Sequence, residues 1–297
     1  MPARNLKPKV LETTAKRFVM MAFFVCAHSQ LAADGTHSDL MARVDAEIAQ
    51  APGDAALRYR RAVLLFEHDD FSSSWTEFCK CEEMGGAGMP VQWWKARILQ
   101  SLRQPEKSRT LLNRFLGQEP RHWPALVTRA RVNLELAEPV LALADYRAAI
   151  SCNPSPEPDL IAEAADAMAS NERVDEAVAL LETHLLRLGS LPSLQTKLVE
   201  IEVAAGRVDS ALTRIGVFQE TALRPELWMV KRAGILASEG RLTEAREAWE
   251  AILGHLEKLP AGQRGSHSMS ILEAKAREAI SILKKTDQPK SLQTQIP

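Results

Sequence analysis

Small residues and prolines return every 34 or 35 positions in this chain of 297 residues, and that beat limits its fold more than any other feature. Ser74, Ser108, Ala142, Ala177, Ala211 and Ala245 follow one another at intervals of 34, 34, 35, 34 and 34 residues. Ala62, Ala96 and Ala130 keep the same interval; Pro120 and Pro154 are 34 apart, and Pro52 lies twice that distance before Pro120. A register held this long means one structural unit repeated, not two unrelated domains. A small residue at a fixed phase marks a close approach of backbones, and a proline marks a point where a helix cannot continue. The residues between are rich in Ala, Leu, Glu and Arg, all good helix formers, and alternating Val/Ile/Thr runs are absent. With 46% hydrophobic and 25% charged residues the chain has the composition of a folded protein. Its formal net charge of -1 gives no basic footprint for nucleic acid, so none is expected as a partner.

Three late units spell the same turn in nearly the same residues: Asn171-Glu172-Arg173-Val174-Asp175-Glu176-Ala177, Ala205-Gly206-Arg207-Val208-Asp209-Ser210-Ala211 and Glu239-Gly240-Arg241-Leu242-Thr243-Glu244-Ala245. Gly206 and Gly240 suit the left-handed residue that ends a helix, and Asp175, Asp209 and Thr243 are expected to cap the helix that follows. With its period, its two small-residue phases and its prolines, the chain resembles the tetratricopeptide repeat family. The resemblance covers about six units over residues 55–258, with Phe78, Leu112, Tyr146, Leu181, Ile215 and Trp249 at packing phases of the second helices. It implies an all-α fold: a right-handed superhelical solenoid of antiparallel helix pairs. Two departures stand out, Val199 in place of a small residue and Gly86 in place of a proline. Amphipathic flanks are expected to close the array, with an N-terminal capping helix within residues 34–54 and a C-terminal one within 266–285, followed by a disordered tail over 286–297.

Residues 1–33 are of another kind. Arg4, Lys7, Lys9, Lys16 and Arg17 precede an apolar run from Phe18 to Ala27, and a short polar stretch with small residues follows, Ala27-His28-Ser29 and Leu31-Ala32-Ala33. A positive end, a short apolar core and a small-residue zone are the parts of an export signal, so a periplasmic or secreted location is expected, with tethering to the membrane if the signal is not cleaved. The run is about half the ~20 residues of a spanning helix, so no stable membrane span is expected. Val25 before Cys26 does not fit a lipoprotein processing site.

Repeats and caps leave no stretch for a catalytic domain, and no phosphate-binding glycine loop, His-Glu-x-x-His or nucleophile elbow occurs. No catalytic residue, metal site or cofactor is expected. Gly85-Gly86-Ala87-Gly88 reads as a loop that relaxes the stacking. Cys79 and Cys81 lie about 200° apart around a helix, which suits neither a disulfide nor joint chelation; Cys81 falls at a packing phase.

The family resemblance implies a protein-binding scaffold whose first helices line a concave groove. By the register these are Tyr59, Val63 and Phe66, then Trp93, Arg97 and Gln100, then Val127, Arg131 and Leu134. Later units present Ala162, Asp166, Thr196, Glu200 and Val203. An aromatic and basic early face beside a small, acidic later one suits an extended peptide or protein segment with an acidic or carboxylate-bearing end near Arg97 and Arg131. Trp93 and Arg97 share a helix face; of Trp93 and Trp94 one must be core, and the other could serve either packing or a partner. Self-association through the outer face is the alternative, an architectural role.

Overall fold

The computed structural model describes residues 37–86 and 88–286. The expectations for the export signal and for the tail beyond Thr286 lie outside the described residues. Among those residues every regular element is a helix, fifteen in all, and none is long and apolar enough to cross a membrane. The chain divides between Glu138 and Pro139 into two compact units.

The first unit contains α1 (His37–Gln50), α2 (Ala55–Glu67), α3 (Phe71–Glu83), α4 (Val91–Ser101), α5 (Pro105–Gln118) and α6 (Trp123–Glu135). α2 pairs with α3 and α4 with α5, and the first helices α2, α4 and α6 lie side by side. α1 covers α2, burying Leu40, Val44 and Ile48 against Leu64 and pairing Glu47 with Arg60 at 2.9 Å and Asp45 with Arg61 at 2.7 Å. The second unit contains α7 (Pro139–Cys152), α8 (Pro158–Ala169), α9 (Val174–Leu188), α10 (Pro192–Ala204), α11 (Val208–Thr221), α12 (Glu226–Ser238), α13 (Leu242–Lys258), the single turn α14 (Ala261–Arg264) and α15 (His267–Thr286). Here α8–α9, α10–α11 and α12–α13 are the pairs, and α15 closes over α13 with Met269, Ala276, Ile280 and Leu283 buried.

Both small-residue phases are built as the beat requires. Ala62, Ala96, Ala130, Ala165, Val199 and Ala233 in first helices, and Ser74, Ser108, Ala142, Ala177, Ala211 and Ala245 in second helices, all have 0% exposure. Val199 is thus accommodated within the close contact. The six second-helix packing residues from Phe78 to Trp249 are buried as well.

Every first helix ends in the same turn. A residue with positive φ stands at Asp69, Arg103, Ala137, Glu172, Gly206 and Gly240, in the register of the repeat. The next amide reaches back five residues, as in Asp70 N–H to the Leu65 carbonyl at 3.0 Å and Arg241 N–H to the Leu236 carbonyl at 2.9 Å. This is the Schellman closure, which turns the chain while satisfying the last carbonyls of the helix.

Two sequence expectations are corrected. Asp175 and Asp209 do not cap their helices, which begin two residues earlier than such caps require, with Arg173 and Arg207 in the cap position and no side-chain cap bond; α13 likewise begins at Leu242 after Arg241, so Thr243 is not a cap. Asp175 instead accepts a hydrogen bond from Arg207, and Asp209 one from Arg241, each at 2.6 Å. Gly86 does not relax the packing. A Cβ there would stand 2.7 Å from Cys81 Sγ and 2.9 Å from the Cys81 carbonyl, so close approach demands glycine.

Candidate partner-binding face

Spacings of four and three residues put Tyr59, Val63 and Phe66 on one face of α2, Trp93, Arg97 and Gln100 on one face of α4, and Val127, Arg131 and Leu134 on one face of α6. The helices approach so closely that three of the nine are withdrawn from a partner's reach. Tyr59, Val63 and Val127 are 4%, 6% and 6% exposed and belong to the packing between helices. The Tyr59 hydroxyl accepts from Trp94 Nε1 at 2.6 Å, and burial is the first cause of its pKa being pushed up to about 12. Phe66, Trp93, Arg97, Gln100 and Leu134 are half-buried, and Arg131 is exposed.

Trp94 is the core member of the tryptophan pair, at 4% exposure. Trp93 reaches across to α6, where its Nε1 donates to Thr128 Oγ1 at 2.8 Å. Gln100 donates to Glu135 on the same helix at 2.7 Å. Arg97 does not face an empty pocket beside Trp93; it fills the space itself. Its guanidinium carbon lies 4.5 Å from the Phe66 ring centre, 4.5 Å from that of Trp94 and 5.3 Å from that of Trp93.

Among the described residues Arg97 makes no hydrogen bond or ion pair. Burial, and then the positive charge of Arg131, push it down to about 10, with Glu67 and Tyr59 acting the other way. It therefore stays protonated at neutral pH, held on three aromatic faces that attract a cation by about 0.5–2 kcal/mol each. Its nitrogens are not sealed from solvent. A guanidinium in that state offers its donor edge to an incoming carboxylate without first breaking an ion pair.

The corresponding face of the second unit differs. Asp166 accepts from Lys197 at 2.8 Å, Glu200 accepts from Lys231 at 3.1 Å, and Lys197 lies 3.9 Å from the other oxygen of Glu200. The expectation of an acidic later face is corrected, because Lys197 and Lys231 alternate with the acids and neutralise them. Asp166, Glu200, Val174, Ile201 and Ala204 are among the residues that line a cavity of about 310 Å³.

The C-terminal part of a TPR repeat-containing protein from Cytophaga hutchinsonii is similar in fold, with a TM-score of 0.50 at 13% identity, over 85% of this chain and 92% of that one. This chain has the tetratricopeptide repeat fold. A tetratricopeptide repeat protein from Parabacteroides merdae is also similar, with a TM-score of 0.48 at 13% identity over 92% of this chain and 99% of its own. MamA from Desulfovibrio magneticus RS-1 gives 0.45 at 12% identity, over 57% of this chain and 97% of its own. No family model and no curated protein matches the sequence.

Sequence reasoning named Arg97, Trp93, Phe66 and Trp94, but not the contacts that join them, and it missed Thr128 and His122. Thr128 and Trp94 carried a findable signal, being 35 residues from the groups they bond, one repeat plus one position. His122 carried none, since histidine is outside the usual set of helix-capping residues.

Proposed function

We propose that this protein is a non-catalytic interaction module, exported to the cell envelope, whose first unit captures an extended carboxylate-bearing segment of a protein partner on the Arg97 face. The observation that carries the reading is Arg97 itself, a half-buried cation resting on Phe66, Trp93 and Trp94 with no acid paired to it. A buried charge without a counter-ion is costly, and an incoming carboxylate removes that cost while gaining charge-assisted hydrogen bonds. Arginine and tryptophan are also the residues that most often dominate interface energies. Export rests on the sequence of residues 1–33.

A second reading has an observation of its own. On second helices of the second unit Val140, Leu141, Leu186 and Val217 are 72%, 49%, 89% and 57% exposed, which favours an architectural role through those helices. Crosslinking capture from the envelope fraction separates the two, with binding of a fluorescent peptide ending in three glutamates as the chemical check. Wild type should capture a partner and bind the peptide, and Arg97→Glu should lose the partner and bind the peptide at least about tenfold more weakly. Equal peptide binding by both proteins would overturn the Arg97 reading; capture of the protein by itself alone would support the architectural one. Absence from the envelope fraction would overturn export.

A further inference from the structure

A helix must find acceptors for its first amide protons, and α6 finds one in a histidine. His122 is its N-cap, and the ring Nδ1 accepts a hydrogen bond from the Ala125 amide at 3.1 Å. The His122 carbonyl takes the Ala125 and Leu126 amides at 3.0 and 3.2 Å. A ring nitrogen accepts only while it carries no proton, and an imidazolium has donors alone. Protonation would set N–H against N–H at the positive end of the helix, where a cation is disfavoured.

The ring is wedged between two helices, its centre 5.0 Å from that of Phe115 on α5 and 5.2 Å from that of Trp93 on α4. The charged groups on the surrounding elements are Lys95 and Arg97 on α4, Glu106, Lys107, Arg109 and Arg114 on α5 with Glu119 just after it, Arg121 beside His122, and Arg129, Arg131 and Glu135 on α6. None of them bonds to the imidazole. Burial pushes the imidazole down to about 4.

Trp93 links this cap to the partner face. Its ring stands between His122 and Arg97, at 5.2 Å from the first and 5.3 Å from the second. Its Nε1 is held by Thr128, whose hydroxyl donates at 2.8 Å to the carbonyl of Pro124 in the first turn of α6. Opening that turn removes both supports of Trp93.

We propose that His122 is a positioning residue that makes the Arg97 face acid-sensitive: its protonation removes the cap of α6, opens the first turn, unseats Trp93 and releases the bound segment. The release step rests on the Arg97 reading above, whereas the opening of α6 is measurable without any partner. The sign follows from a lowered folded-state pKa. The cap is fully present above about pH 6.5 and is lost as pH falls through about 4.

The test is deuterium uptake by residues 123–128 of the full chain between pH 7 and pH 4, corrected for the intrinsic pH dependence of exchange. His122→Asn, which keeps a capping acceptor that cannot titrate, runs beside the wild type, with His122→Ser as a second such cap. Wild type should lose protection about a hundredfold at pH 4, and the variants should stay flat. Parallel loss in wild type and variants, or no loss in wild type, would overturn the proposal. A Gly-Ser peptide ending in a sulfonate, whose charge is constant over this range, should leave the wild type at low pH and stay on His122→Asn. Failure of that peptide to bind at pH 7 would count against the Arg97 reading, while the exchange data would still decide the acid response.

Discussion

Four of the six turns that end the first helices hold a side chain where glycine is the natural occupant. Asp69, Arg103, Ala137 and Glu172 have φ between 57° and 62°, a left-handed conformation that costs an L-residue about 1–2 kcal/mol. Glycine removes that strain but gives back part of the gain through a freer unfolded chain. Arg103→Gly should therefore stabilise the first unit by about 0.5–1 kcal/mol. Gly240→Ala should destabilise the second by about 1 kcal/mol, although nothing lies within 4 Å of the added Cβ. Urea midpoints at constant slope would read both, and an unchanged midpoint for Gly240→Ala would remove backbone strain as the reason for glycine there. The same position shows what single residues disclose in sequence. Gly206 and Gly240 announced their turns, but Arg103 did not, because the pairing of α4 with α5 imposes the conformation on whatever residue stands there. Asp175 and Asp209 misled for a related reason. Their carboxylates fit the capping preference, yet an arginine 32 residues further on claims each of them.

At the scale of helices, the two small-residue phases are places of contact, and the chain uses them in two ways. In the first unit Ser74 Oγ donates to the Ala62 carbonyl and Ser108 Oγ to the Ala96 carbonyl, both at 2.7 Å, tying second helix to first. In the second unit alanine fills the phase, and Ala211 packs with Val199, Ile215 and Trp228. Ser108→Ala should cost about 0.5–1.5 kcal/mol, the net worth of one hydrogen bond. Ala211→Leu has no room for its added methylenes and should cost about 1–3 kcal/mol. Thermal unfolding would rank them, and a neutral Ala211→Leu would mean that the phase is not a tight contact. The helical class and the buried phases were legible from the 34-residue beat. The ion pairs between neighbouring repeats were not, because they join residues 31 or 32 apart: Lys197 to Asp166, Lys231 to Glu200, Arg207 to Asp175 and Arg241 to Asp209. Patterns within one helix look three or four residues ahead and pass over such partners. That is why the later face was read as acidic when it is neutral, and why Arg97, whose environment is set by rings on two helices, could be named but not described.

For the whole molecule, contacts within each unit run between helices that are sequence neighbours or next neighbours, so stability should be a sum of local terms. The break between Glu138 and Pro139 had no signal in sequence, since the interval from Ser108 to Ala142 is the usual 34 residues. The flanks were expected to be helices because each carries one apolar and one polar face. α15 shows what such a helix contributes. Its Met269, Ala276, Ile280 and Leu283 are buried in one cluster with Trp249, Ile252 and Leu256 of α13, and Lys275 lies 5.9 Å from the centre of the Trp249 ring. Burying side chains of that size is worth about 1.5–3 kcal/mol each before conformational entropy is counted. A chain ended after Gly265 should thus lose several kcal/mol of local stability at α13. Trp249, only 6% exposed in the full chain, should then shift its emission to the red. Because coupling runs only through neighbours, exchange protection should fall most in α13, less in α12 and α11, and little in α8. A uniform loss from α8 to α13 would show instead that the second unit unfolds as a single block, and the additive picture would have to be given up.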